Sequence, residues 1–378
     1  MTNKRLISSV TSDLVSDQRV HRMVKTLATM GFEIRLIGRK KKDTLSLKKR
    51  SYAAERISTW FEKGPLFYAE FNVRLFFKIL FSKADILLAN DLDTLLPNYL
   101  VSRIKGIPLI YDSHEYFTEV PELIQRKIVR KIWLMIERLC FSGVHLGITV
   151  CDPIAQAYYE KYGIEMKVVR NFPNTYDLDV FRDNQAYSID KLPGEKIILY
   201  QGSVNVDRGL EQMIEAMKEL KQCRLIICGD GDIIDSLKIQ ARKLDCSNRI
   251  EFRGKIAFEE LAHITVQADI GLSIEKQNGL SYTYALPNKF FDYIQAGIPS
   301  IISTLPEMIK INKNYNVAVE TSSIEPKALA ECIKKLIADE SRWVSLRDNA
   351  SKARKELNWT EESKIVEQIF TPFLNRVH

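Results

Sequence analysis

The run Leu286-Pro-Asn-Lys-Phe-Phe-Asp-Tyr-Ile-Gln-Ala-Gly-Ile-Pro-Ser-Ile-Ile-Ser303 brings a cation, a carboxylate and a helix start within a few residues of one another. Pro287 suits a first helical turn, where its missing N–H costs nothing. Gly297 supplies the stop, and the residues after it read as a buried parallel strand. The helix start therefore offers free backbone N–H groups beside Asn288 and Lys289, with Asp292 one turn in. N–H groups and an ammonium suit a phosphate, and a carboxylate suits a ribose hydroxyl pair, which is the chemistry of a phosphorylated sugar. Tyr200-Gln-Gly-Ser-Val-Asn-Val-Asp-Arg-Gly-Leu-Glu211 is a second such run. Gly202 lets a ligand approach the backbone there, and Arg208 stands at a helix mouth, where it either faces a diphosphate or is simply solvated. Ile227-Cys-Gly-Asp-Gly-Asp232 passes from strand to helix through a tight turn at Gly229 and Asp230. In Ile110-Tyr-Asp-Ser-His-Glu-Tyr, His114 and Glu115 lie just past a strand end. Open α/β sheets bind ligands at that place, although a lone histidine is more often structural. Asp17 is a natural N-cap, and Arg19 beside it can face an acceptor or a phosphate.

Such residues need strand ends and helix starts to hold them, and the hydrophobic periodicity predicts both. Strands are expected at Leu6–Val10, Ile34–Ile37, Ile86–Ala89, Leu109–Tyr111 and Leu146–Val150, with a helix over Asp17–Met30. A loop-like stretch, Arg170–Gly194, separates these from a second alternation. That set has strands at Ile197–Tyr200, Leu225–Cys228, Ile250–Phe252, Ile270–Ser273 and Ser300–Ile302, with a helix over Gly209–Leu220. The expected fold class is α/β: two facing Rossmann-like domains with the ligand between them at strand C-terminal ends. The domains are expected at 1–185 and 195–355. Residues 356–378 form a C-terminal helix whose stripe Ile365, Val366, Ile369, Phe370, Phe373, Leu374 packs back toward the first domain. A chain of 378 residues supports two cores of this kind. A formal charge of +7 fits anionic ligands or an anionic membrane surface. The six cysteines form no C-x-x-C, which reads as free thiols in a reducing cytoplasm. The N-terminus lacks a signal-peptide core, and no window reaches the ~18–20 apolar residues of a membrane span. The expected place is therefore the cytoplasm.

Over residues 195–305 in particular, the chain resembles the retaining, nucleotide-sugar-dependent glycosyltransferases of the GT-B type, the group 1 or family 4-like enzymes of bacteria. The resemblance implies that the segment around Lys289 and Asp292 holds the nucleotide, and that Arg208 inherits a phosphate role. It implies that Gly229-Asp230-Gly231 lies near the base and that the strand ending at Arg253-Gly254 touches it. It also exposes departures. The family commonly has an Arg after the first Gly of its phosphate loop, where this chain has Ser203. Of the family's two glutamates separated by seven residues, the matching positions here are Tyr284 and Asp292. A histidine at the place of His114 contacts the transferred sugar in many members, with Glu115, Asp17 and Arg19 on the acceptor side. The implied reaction is transfer with retention, without a cofactor or metal. Arg208, Lys289 and a helix N-terminus would stabilise the departing diphosphate, and His114 would sit at the sugar. Asp91-Leu-Asp93 matches a D-x-D metal pattern in letter, but it follows a first-half strand and reads as N-caps or acceptor-side polar groups.

Many relatives glycosylate glycans or lipid-linked acceptors in polysaccharide and cell-surface glycan assembly, which raises peripheral contact with an anionic membrane. Arg39-Lys-Lys-Lys42, Lys48-Lys-Arg50 and Arg56 form a basic stretch. Phe71–Lys83 is apolar nearly all round. Ile124, Ile128, Ile132, Met135 and Leu139 stripe a helix that also carries Arg126, Lys127, Arg130, Lys131 and Arg138. The stripe faces either lipid or the protein's own core. Nucleic acid is excluded as a partner by the lack of any helix-turn-helix, zinc or aromatic-platform pattern. A NAD-dependent dehydrogenase is excluded by the missing G-x-G-x-x-G. Two alternatives stay open: an epimerase or hydrolase on the same fold, using Glu115 or His114 as base, and an inactive nucleotide-sugar-binding partner subunit, suggested by Tyr284 and Ser203.

Overall fold

The computed structural model describes residues 4–15, 17–41, 46–47, 49–182 and 187–375. Lys42 and Lys48 of the basic stretch lie outside them, so that prediction has a structural counterpart only in its other members. The chain divides into two compact units, one of residues 1–171 with 361–378 and the other of residues 172–360.

The first unit is built on a parallel sheet of seven strands: β1 (Arg5–Asp13), β2 (Glu33–Lys40), β3 (Ala53–Ser58), β4 (Ile86–Asn90), β5 (Leu109–Ser113), β6 (Leu146–Thr149) and β7 (Met166–Val168). Their order is β3-β2-β1-β4-β5-β6-β7, so the chain reverses direction across the sheet beside β1. β1 is central, with Leu6 paired to Ile34 on one side and to Ile86 on the other. Every residue of β4 and β5 is buried, as expected of strands covered on both faces. The second unit repeats the plan with β8 (Lys196–Gln201), β9 (Cys223–Cys228), β10 (Ile250–Gly254), β11 (Ile270–Ser273), β12 (Ser300–Ser303) and β13 (Ala318–Thr321), in the order β10-β9-β8-β11-β12-β13. Ile198, Tyr200, Leu225, Ile227, Leu272 and Ile301 from its strands share one core cluster.

Each expected strand is present, several of them longer by one to four residues. β3, β7 and β13 were not expected, and they are edge or short strands whose apolar residues are sparse. The helix expected over Gly209–Leu220 is regular only across Leu210–Ala216. The first unit ends at Asn171 rather than near residue 185 because the following residues are anchored in the second unit. Phe172 packs edge-on against Phe291 at 4.6 Å, and Tyr176 N–H donates to the Gln295 side chain. The C-terminal helix Trp359–Asn375 returns to the first unit. There Phe370 is fully buried and meets Phe32 edge-on at 6.2 Å, while Phe373 meets His145.

In the helix Lys127–Phe141 the apolar stripe, whose facing the sequence left open, is not the core side. Trp133, Glu137, Cys140 and Phe141 face inward, and the buried Glu137 carboxylate accepts from Lys161 and Tyr162, both at 2.5 Å. The apolar stripe faces outward, with Ile128 79% and Met135 60% exposed. Trp133 packs edge-on against Tyr68 of the helix Gly64–Leu80, which itself exposes Leu66, Val73 and Phe77, with Phe81 just beyond its end.

Candidate functional site

In the second unit the sequence-predicted donor residues gather where β8, β9 and β11 end. The turns leaving these strands are stitched together by backbone bonds. Gly202 N–H donates to Cys228 carbonyl at 3.0 Å, Val204 N–H to Asp230 carbonyl at 3.0 Å, and Gly229 N–H to Gly254 carbonyl at 2.8 Å. Gly229 cannot be replaced without rearrangement, since a Cβ there would lie 1.8 Å from the Gly202 carbonyl oxygen. The result is a backbone cradle with exposed Ser203 and Asp230 at its rim. Lys289 reaches this cradle from the start of the helix Asn288–Ala296, with its Cε 3.6 Å from where a Gly202 Cβ would be. Pro287 caps that helix without a side-chain bond, and Gly297 closes it at φ 66°. Asn288 is exposed at the first turn.

Lys289 and Arg208 converge on a carboxylate that the sequence reading did not single out. Glu275, two residues past β11, is fully buried. Its Oε1 lies 2.5 Å from Lys289 Nζ and 3.7 Å from Arg208 Nη1, and its Oε2 accepts from Ser273 Oγ at 3.0 Å. Burial alone would raise its pKa, but the charges of Lys289 and Arg208 hold it below the ordinary carboxylate value. Lys289 Nζ also lies 3.3 Å from Tyr200 Oη, and the Arg208 guanidinium lies over the Tyr282 ring at 4.6 Å. Arg208 owes its place to the turn before it. Asp207 has φ 65° and Gly209 φ 74°, and a Cβ on Gly209 would meet the Ile274 carbonyl oxygen at 2.5 Å. The turn thus lies directly on the end of β11. Glu275 had a visible signal, an acid two residues past a wholly buried strand.

Asp292 is buried and has both oxygens engaged, Oδ1 by Tyr176 Oη at 3.2 Å and Oδ2 by Gln201 Nε2 at 2.9 Å. Each carboxylate oxygen has a second lone-pair direction, so these bonds orient the group without using all its capacity. Arg253 turns to Glu251 Oε1 at 2.6 Å, at the end of β10. Tyr284 is half-buried at the end of the short helix Gly279–Thr283.

In the first unit His114 follows β5 and lies between two carboxylates. Its Nδ1 is 3.1 Å from Asp91 Oδ2, its Nε2 is 3.3 Å from Asp112 Oδ2, and its backbone N–H donates to Asp91 Oδ1 at 2.8 Å. Burial would lower the imidazole pKa, but Asp91 and then Asp112 hold it well above the ordinary value. Asp91 occupies the N-cap position of the helix Leu92–Lys105 yet makes no side-chain cap bond, so the expected capping role goes instead to holding His114. Its φ of 60° and ψ of 165° are a strained conformation for a non-glycine residue. Asp93 is buried, and burial followed by the Asp91 charge pushes its carboxyl up to about 7.

Arg19 does not face an open ligand position. It is 3% exposed, donates twice to Asp112 at 3.1 and 2.6 Å, and donates to the Val169 carbonyl at 2.8 Å. Asp17 caps the helix Gln18–Thr29 by accepting from Val20 N–H at 3.0 Å. Both are thus engaged within the first unit, whereas Glu115 is exposed. Among the described residues no group of His, Cys, Asp and Glu could hold a metal ion, and no helix is long and apolar enough to cross a membrane. The six cysteines are free thiols.

Comparison with known proteins places these two units in one family. The sequence model for glycosyl transferases group 1 matches residues 181–356, and that for glycosyltransferase family 4 matches residues 17–180. An alpha-monoglucosyldiacylglycerol synthase of Streptococcus pneumoniae is 30% identical over 203 residues, 49% of this chain and 46% of that protein. The chain thus spans about half the length of the curated relatives it matches. Solved structures match along nearly the whole chain. Sucrose-phosphate synthase of Thermosynechococcus elongatus has a TM-score of 0.76 at 17% identity, covering 98% of this chain and 99% of that one. The Anabaena protein HepE, solved in complex with UDP and glucose, has a TM-score of 0.73 at 14% identity, covering 99% of this chain and 100% of that one. The chain belongs to the group 1 glycosyltransferases and has their two-domain GT-B fold.

Proposed function

We propose that the chain transfers a sugar from a nucleotide-sugar donor to a hydroxyl of a glycan or lipid-linked acceptor, with retention and without a metal, in cell-surface glycan assembly. The observation that carries this reading is the convergence of Arg208 and Lys289 beside the Gly202–Gly229 backbone cradle. Two cations beside a closely packed backbone turn suit a diphosphate. The UDP and glucose bound by HepE are the ligands of that neighbour, and they support a nucleotide-sugar donor here. In the proposed step the acceptor oxygen bonds to the anomeric carbon on the face from which the leaving group departs. The bond from that carbon to the phosphate oxygen breaks, its electron pair stays on the phosphate, and the acceptor proton passes to the same oxygen. Arg208 and Lys289 stabilise the charge that develops there.

The acceptor is proposed to lie at an anionic membrane surface. The outward stripe of the helix Lys127–Phe141, with Ile128, Ile132, Met135 and Leu139, is flanked on one side by exposed Lys127, Lys131 and Arg138. Apolar residues beside cations suit a helix lying in the lipid headgroup layer.

The donor site is tested by thermal stabilisation with UDP-, GDP-, ADP- and CMP-sugars on the wild type, Arg208→Ala and Lys289→Ala. A ligand present at ~100 times its dissociation constant adds about 2.7 kcal/mol. One nucleotide stabilising the wild type and neither variant is the expected result, and no stabilisation by any of them overturns the reading. Release of free sugar without an acceptor would instead favour a hydrolase. For the membrane, flotation with phosphatidylglycerol vesicles should be lost in Ile128→Glu/Ile132→Glu. Equal flotation of that variant refutes this docking face.

A further inference from the structure

We infer that Glu275 is a built-in counter-ion that competes with the diphosphate for Arg208 and Lys289, and that it favours departure of the nucleoside diphosphate product. The inference rests on the donor-site reading above. Its basis is geometric: Glu275 is fully buried, yet one oxygen serves both cations, at 2.5 Å from Lys289 Nζ and 3.7 Å from Arg208 Nη1. Its other oxygen is held by Ser273 Oγ, and Ser303 Oγ donates to the Glu275 backbone carbonyl at 2.7 Å, which fixes the residue at the end of β11. The next residues are tied to the Arg208 turn as well. Lys276 N–H donates to the Asp207 carbonyl at 2.8 Å, and Asn278 Nδ2 donates to Asp207 Oδ2 at 2.6 Å. The carboxylate and the guanidinium are thereby carried by two loops that are bonded to each other.

A buried carboxylate is a poor neighbour for a phosphate unless cations lie between them. Here Lys289 and Arg208 do. Each phosphate charge that arrives must share those cations with Glu275, and each additional charge raises the repulsion. Donor and product differ in that charge. The sugar ester caps one terminal phosphate oxygen of the donor, and transfer frees it, so the product carries more negative charge than the donor. Glu275 therefore destabilises bound product more than bound donor. It acts through the two cations and is a positioning residue rather than a catalytic one.

The test uses the full chain and the isosteric variant Glu275→Gln. Dissociation constants for UDP, GDP, ADP and inorganic diphosphate are measured by calorimetry, with donor KM and product inhibition for whichever nucleotide is active. The variant is expected to bind the nucleoside diphosphate about tenfold more tightly, the effect of neutralising a competing carboxylate at ion-pair distance in a partly screened site. The ratio of product inhibition constant to donor KM is expected to fall. A residue that merely shapes the pocket would weaken both ligands when changed. Glu275→Asp keeps the charge but withdraws it by one methylene. It should tighten product binding in the same direction by a smaller factor, and it stands in if the amide variant does not fold. Product affinity unchanged or weakened in the folded variant overturns the inference. Failure of the wild type to bind any of the nucleoside diphosphates overturns the donor-site reading instead.

Discussion

Replacing Asp112 by asparagine tests whether the first unit is organised around a buried charge. Asp112 is fully buried in β5, takes two hydrogen bonds from Arg19 and lies 3.3 Å from His114 Nε2. The amide keeps the shape, but one of its head atoms becomes a donor, and Arg19 and His114 both lose their shared anion. Arg19 is then a buried cation beside the Val169 carbonyl, with Glu362 a weaker counter-charge. Removing one partner of a buried pair costs about 3–5 kcal/mol. Titration supplies a second figure. Burial would raise the Asp112 pKa, but the charges of Arg19 and His114 hold it down to about 2. An unfolded aspartate titrates near ~3.9, so the depressed value contributes stability that is complete above that pH and is lost as pH falls through about 2. A gap of about two pH units corresponds to roughly 2–3 kcal/mol. The substitution should cost more than acid does, because a protonated carboxyl still accepts from Arg19 with its other oxygen.

Calorimetry of the full chain at neutral pH should therefore show the first-unit transition lowered by roughly 6–20 °C in Asp112→Asn, taking about 2–4 °C per kcal/mol for a unit of this size. Arg19→Met should cost a comparable amount. The double variant should cost less than the sum by at least about 1 kcal/mol, since the second change removes the charge that the first left unpaired. A single-variant loss under about 1 kcal/mol, or costs that simply add, would refute the view that this pair is a desolvated and coupled one.

Gly209→Ala should destabilise the second unit by about 1–3 kcal/mol and weaken donor binding, because φ is 74° and the new Cβ would meet the Ile274 carbonyl at 2.5 Å; an unchanged melt would show that the turn relaxes freely. Phe370→Ala should cost about 3–5 kcal/mol in the first-unit transition, since the ring is fully buried and packs on Phe32. A shift confined to the second unit would contradict the assignment of the C-terminal helix. For Asp93 the sign is opposite to that of Asp112: burial raises the folded value to about 7. Between about pH 4 and pH 7 the folded form keeps a proton that the unfolded chain has lost, so this group makes stability fall as pH rises through that window. Asp93→Asn should flatten that part of the stability profile, and a profile unchanged in slope would show that Asp93 is ionised at neutral pH.

What was legible in the sequence and what was not divides along physical lines. Wholly buried strands such as β4 and β11 announce themselves, because both faces need mostly apolar side chains, as in Ile86-Leu-Leu-Ala89 and Ile270-Gly-Leu272. β3 reads Ala-Ala-Glu-Arg-Ile-Ser at a sheet edge, where the backbone ladder holds residues that no pattern marks. The loops carrying Gly202, Arg208 and Lys289 were legible as special, since they combine backbone needs with a cation near a strand end. Their carboxylate partner was not, because Glu275 gains its meaning from Lys289 and Arg208 on other loops. Asp112 and Arg19 likewise stand 93 residues apart. A charged residue inside or directly after an apolar strand was nonetheless a sign that a buried counter-charge had to exist somewhere in the chain. The helix Lys127–Phe141 shows the complementary limit. Its periodicity revealed an apolar face at Ile128, Ile132, Met135 and Leu139, but periodicity reports that a face exists and not what covers it. Its core side holds Trp133, Cys140 and Phe141 together with a buried glutamate, whose Oε2 accepts from Lys161 and Tyr162. The exposure of that apolar stripe is the observation behind the proposed membrane contact, and a binding experiment tells what covers it.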